Sequence, residues 1–93
     1  MVGVLTFHLL LPGCSSLKEK RGRLKPLLAR LHRKFDVSAA ELELLDRWQE
    51  SVVACALVGN EAAHVRRSLQ AVAAWVEQDW PDLTVLENRI EII

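Results

Sequence analysis

Eight of the chain's twelve Lys and Arg residues fall between Lys18 and Lys34, and only Glu19 opposes them there. The turn Gly13-Cys14-Ser15-Ser16 precedes this run and delivers free backbone amides at the start of a helix. Lys18, Lys20 and Arg21 stand within the next turn and a half. Cations in that position oppose the helix dipole by about 0.3–1 kcal/mol each, and a bound phosphate reverses the sign. Farther along, the helical period places Lys18 and Lys25 on one flank of the apolar stripe and Arg23, Arg30 and Lys34 on the other. The chemistry implied is recognition of phosphate by charge and backbone amides. Its candidate residues are Gly13, Ser15, Ser16, Lys18, Lys20, Arg21, Arg23, Lys25, Arg30 and Lys34. The bland alternative is a solvated helix face whose long side chains splay into water.

The rest of the chain sharpens the contrast. Residues 1–35 carry eight cations against one anion, and residues 36–93 carry four against eleven, so a formal net charge of zero hides halves of +7 and −7. Such a molecule can hold an anionic partner by one face while the remainder repels it. RNA or the ribosome is therefore the first class of partner expected.

Other chemistry has little to stand on. His8, His32 and His64 lie on three different segments without ligand spacing, and Cys14 and Cys55 form no motif, so no metal and no cofactor is expected. Cys14 at a helix N-terminus could be an activated thiol, but no orienting base accompanies it and no catalytic residue is assigned. Both cysteines read as free thiols of a reducing compartment. The apolar run Val2 to Leu11 has the wrong charge order for a signal peptide and is too short to span a bilayer, so the expected location is the cytoplasm, with no membrane partner.

These residues need a frame to position them, and the 93 residues have material for one domain. Val2 to Leu11 reads as a strand, apolar on both faces, stopped by Pro12-Gly13. Ser16-Leu17-Lys18-Glu19 is a capping-box pattern, with Ser16 accepting from the Glu19 amide and Glu19 reaching back. Leu17, Leu24, Leu28, Leu31 and Phe35 form the buried stripe of the helix that follows. Pro26 lacks an amide hydrogen and crowds the carbonyl of Gly22, which predicts a kink between these two residues with helix continuing beyond. Val37 to Leu44 alternates, with Ala40, Leu42 and Leu44 inward and Glu41 and Glu43 outward. Ser51 to Gly59 is a second strand apolar on both faces. Asn60 is a cap candidate for a helix with Val65, Leu69, Val72 and Val76 on its buried side, running to about Asp79. Leu86, Ile90 and Ile92 then alternate with Glu87, Arg89 and Glu91.

The order strand, helix, strand, strand, helix, strand, joined by right-handed crossovers, predicts an α+β, ferredoxin-like βαββαβ domain: a four-stranded antiparallel sheet with both helices on one face. The two strands apolar on both faces fall in the centre, the two alternating strands at the edges. The uncovered face should carry a stripe from Val2, Val4 and one side of Ser51 to Gly59, rimmed by Glu41, Glu43, Glu87, Arg89 and Glu91. Such a stripe calls for cover, and a sheet-to-sheet homodimer is expected. Trp48, in a polar segment between Asp46 and Glu50, is either an interface anchor or a cap folded over the sheet end. Stacking of RNA bases on the open sheet is not expected, because the central strands offer only Phe7, on the core side, and His8.

Leu11-Pro12-Gly13 followed by Ser16-Leu17-Lys18-Glu19-Lys20-Arg21, Phe35-Asp36-Val37-Ser38 with Ala40-Glu41, Asp46-Arg47-Trp48-Gln49, and Asn60 with His64-Val65 together resemble the small bacterial YlxP-like family nearly end to end. The chain departs from that pattern at Pro26 and at Leu44-Leu45. The resemblance implies a ferredoxin-like protein whose biochemical function is unassigned, encoded near transcription and translation factors such as ribosome-binding factor A. Residues and resemblance together lead to the expectation of a non-catalytic, homodimeric RNA- or ribosome-associated protein working through its first helix. A small phosphate-ligand-binding protein or acylphosphatase-like enzyme, with the anion at that helix's N-terminus, is the alternative from another class. A protein-protein adaptor is the third.

Overall fold

A computed structural model describes residues 1–93. Strand β1 spans Val2–Leu10, helix α1 Leu17–Phe35, β2 Ser38–Glu43, β3 Glu50–Val58, α2 Ala62–Asp79 and β4 Thr84–Ile92. The sheet order is β2-β3-β1-β4, every neighbouring pair antiparallel. This is the ferredoxin-like α+β arrangement, with the doubly apolar β1 and β3 in its centre.

Period-two alternation in β1 sends Leu5, Phe7, Leu9 and the following Leu11 into the core. Val53 and Cys55 of β3 join them there, opposite Phe7 and Leu5. On α2, Val65, Leu69, Val72, Ala73 and Val76 recur at helical spacing and close the layer from above. Gly3 makes this approach possible, since a Cβ there would lie 2.3 Å from Val65 Cγ1 and 2.7 Å from Leu69 Cδ1. Phe35, Trp75 and Trp80 seal the boundary between the helix ends, with successive ring centroids 5.6 Å apart.

Four local expectations are corrected. The buried residues of α1 are Lys20, Leu24, Leu27 and Leu31, while Leu17, Leu28 and Phe35 are only partly buried. The helix thus presents its i, i+4, i+7, i+11 row to the sheet, and that row begins with a lysine. Asn60 does not cap α2; Glu61 holds the cap position, without a side-chain hydrogen bond. On β2 the alternation is inverted. Ala39 pairs with Cys55 and Glu41 with Val53 on the helix side, whereas Ala40 pairs with Ala54 on the open face. The register then shifts, so that Glu43 opposes Val52 and Leu42 becomes the extra residue of a bulge, 55% exposed. Glu41 therefore does not rim the open face. A similar shift in β4 leaves Leu86 unpaired and exposed, while Ile90 and Ile92 pack on the core.

Pro26 lies inside α1, and the helix continues past it to Phe35. Asp36 ends it in the left-handed conformation, its amide donating to the His32 carbonyl at 3.0 Å.

Candidate nucleic-acid interface

The N-terminus of α1 is built as a closed set of contacts. Ser16, in extended conformation, accepts from the Glu19 amide at 3.0 Å. Glu19 reaches back one residue farther than the capping box predicts, and Ser15 donates its hydroxyl to Glu19 Oε1 at 3.1 Å. That hydrogen bond, ahead of the nearby Arg23 charge, holds the Glu19 carboxyl below its ordinary range. The helix start is thus already faced by a carboxylate of the chain itself. Gly13 is exposed, with φ +71° in the turn, a conformation that suits a residue without Cβ. Cys14 is buried and donates its thiol hydrogen to the Ser16 carbonyl at 3.4 Å.

Two expected site cations are engaged inside the fold. Lys20 is 1% exposed. Its Nζ lies 2.7 Å from Glu41 Oε2 and donates to the Leu44 carbonyl at 2.7 Å. Ser51, also buried, donates to the same carboxylate oxygen at 2.7 Å. Arg23 ties three segments together: Nε donates to Asp82 Oδ2 at 2.9 Å, Nη2 to the Asp82 carbonyl at 2.7 Å and Nη1 to the Pro12 carbonyl at 2.9 Å. The Asp82 hydrogen bond raises the guanidinium pKa, fixing its charge.

Lys18, Arg21, Lys25, Arg30, Arg33 and Lys34 are different. All six are exposed and none takes part in an ion pair. Arg30, Arg33 and Lys34 line a concave surface of about 320 Å³ with no other residue contributing. Arg33 was absent from the residues singled out by sequence, although its place in the cationic run was the available signal. Lys34 also lies 5.7 Å from the Phe35 ring centroid, a cation–π approach that steadies its stem. At the other end, Arg21 and Lys25 flank a groove with Leu24, Leu28 and Glu41 between α1 and β2.

Of the expected interface residues, Val2 is exposed and Val4 half-buried on the open face. Val58, opposite Val2, is 75% exposed. Trp48 is 52% exposed and lines a hollow of about 550 Å³ at the end of the sheet with Leu10, Asp46, Arg47, Gln49 and Glu50. No three His, Cys, Asp or Glu side chains gather in a way that could hold a metal ion. No helix is long and apolar enough to cross a membrane.

Sheet order, helix placement and a first helix lined with unpaired cations define a small ferredoxin-like α+β protein with a basic face. The chain belongs to the family described as "Protein of unknown function (DUF503)", whose model matches residues 2–90. It is 32% identical over 91 residues, 98% of each chain, to the uncharacterized protein YlxP of Bacillus subtilis (strain 168).

Proposed function

We propose that this chain is a cytosolic, non-catalytic RNA- or ribosome-associated protein that binds phosphates through α1. The observation that carries the reading is the set of six exposed cations on one helix, none paired with a carboxylate, three of them sharing a concave surface. Unpaired like charges held together on a rigid element repel one another, and an anionic backbone relieves that repulsion. Arg30, Arg33 and Lys34 also sit toward the helix C-terminus, where the dipole favours cations, so the fold tolerates them without a ligand. Because α1 exposes no Phe, Tyr or Trp ring and only His32, and the open sheet offers only His8, contact is to phosphates and sugars rather than to stacked bases.

The alternative with a small phosphate at the start of α1 has less support, since Glu19 already occupies that position with its own carboxylate. Self-association is the second part of the proposal. Val2, Val4, Val52, Ala54, Ala56 and Val58 run along the uncovered centre of the sheet, and a second copy is the cover this reading assigns to them.

Co-sedimentation with ribosomal subunits, with and without Arg30→Glu, Arg33→Glu and Lys34→Glu together, tests the phosphate reading. Wild-type protein should pellet with subunits at low salt, and the folded triple variant should stay in the supernatant. Equal pelleting of both would refute it.

A further inference from the structure

We infer that the free edge of β2 is a docking site for an extended, acidic and apolar segment of a partner protein, which adds to the sheet as a fifth strand. β2 pairs only with β3, and no backbone hydrogen bond from Ser38–Glu43 goes to any other part of the chain. β2 contains neither Lys nor Pro, and its bulge at Leu42 and inward-pointing Glu41 confine the regular open edge to Ser38–Glu41. The opposite edge, β4, carries Glu87, Arg89 and Glu91 along its open face.

Two apolar depressions straddle this edge. On the open face, Val4, Ser38, Ala40, Leu42, Ala54 and Ala56 help to line one of about 320 Å³. On the helix face, Leu24, Leu28 and the stems of Arg21 and Lys25 line one of about 270 Å³, with Glu41 at its side. A strand laid beside β2 sends alternate side chains to opposite faces, so its apolar residues on each side have a hollow to enter while its backbone completes the ladder.

Charge selects the occupant. Arg21 and Lys25 stand exposed and unpaired above the regular part of the edge and Glu41 is committed to Lys20 and Ser51, which leaves Glu43, beyond the bulge, as the one exposed carboxylate of the strand. Acidic side chains on the incoming strand are therefore favoured. A second copy docking by its own β2 would bring two α1 helices, each bearing the unpaired cations, against one another across the dyad. That repulsion argues for an acidic partner and against self-pairing at this edge. The open-face hollow shares Val4, Ala54 and Ala56 with the stripe assigned above to self-association, so a docked strand and a second copy compete for those residues, whereas the site does not depend on RNA binding.

The probe is a short fluorescein-labelled peptide alternating Val with Glu, compared with its Val/Lys counterpart, each titrated into the full chain and followed by polarisation, amide resonance shifts and hydrogen exchange. The acidic peptide should shift and protect amides of Ser38–Glu43, and the lysine peptide should not. Leu42→Glu and Lys25→Glu, both at exposed side chains, should each weaken binding by about tenfold, equivalent to about 1.4 kcal/mol, while Arg30→Glu with Lys34→Glu leaves it unchanged. The proposal is overturned if β2 amides do not respond, if both peptides bind alike, or if Arg30→Glu with Lys34→Glu weakens binding as much as Lys25→Glu. Protection of β2 in free protein that grows with protein concentration would assign the edge to a second copy and overturn it too.

Discussion

Lys20 Nζ of α1 lies 2.7 Å from Glu41 Oε2 of β2, beneath the helix and almost out of reach of solvent. The pair connects the second turn of the helix to the bulged edge strand, and Ser51 and the Leu44 carbonyl complete the hydrogen bonding of both charges. Removing Lys20 leaves the half-buried Glu41 carboxylate without its counter-charge. Lys20→Met should therefore lower unfolding free energy by about 1–3 kcal/mol, since the Glu41 it leaves is 18% exposed, and Lys20→Met with Glu41→Leu should recover most of that loss. Urea titration measures both. A single-variant loss below about 1 kcal/mol, the range of exposed pairs, would mean that water reaches the site.

Two glycines should respond in opposite directions. Gly3→Ala forces a methyl against Val65 and Leu69, both fully buried, and should cost about 1–3 kcal/mol. Gly22→Ala on exposed α1 meets nothing within 4 Å and should stabilise by about 0.5–1 kcal/mol. Thermal melts of the two variants separate the cases. A stabilised Gly3→Ala would show that α2 can move away from β1.

RNA affinity should follow the exposed cations and ignore the engaged ones. If all six contact phosphates of a single strand, log affinity should fall against log salt with a slope of about −4, and removing three should flatten it by about 2. Filter binding across a salt series reads this. A slope near zero would exclude phosphate contacts as the source of affinity.

Val58→Asp places a charge on an exposed residue of the open face, so the fold should survive while a sheet-to-sheet dimer should not. Light scattering should report a dimer for the wild type and a monomer for the variant. A monomeric wild type at high micromolar concentration would sink the proposed self-association.

Burial pushes the Cys55 thiol from its ordinary 9.0 up to about 11. Below pH 9 the thiol is neutral in both folded and unfolded chains, and its contribution is fully present. Between pH 9 and about 11 the unfolded chain ionises first, so stability should decline by about 3 kcal/mol from this group. Cys55→Ala should remove that part of the alkaline slope. Thiol titration should also find both cysteines free and slow to react until the protein unfolds.

The sequence carried the element order, the central position of β1 and β3, and the cationic character of α1, because each is a repeated pattern over many residues. It misled where one charged residue sat in an apolar row. Lys20 occupies the same stripe as Leu24, Leu27 and Leu31, and Glu41 occupies the inward phase of β2 beside Ala39. Each alone violates the rule that charge faces water; together they satisfy it by pairing. Sequence periodicity scores one segment at a time and so does not see a partner in another. Arg23 was hidden for the same reason, since its Asp82 partner lies beyond the second helix. Lys18, Arg21, Lys25, Arg30 and Lys34 were legible because nothing in the fold recruited them, and Arg33 was passed over although it stands in the same run.

Zero net charge also leaves this molecule without the overall repulsion that keeps like proteins apart. Near its isoelectric point of about 6.8, the cationic helix of one copy and the acidic remainder of another attract. That attraction is electrostatic and fades once the screening length shrinks to about 10 Å at 0.1 M salt. Solubility at neutral pH should accordingly rise on adding salt.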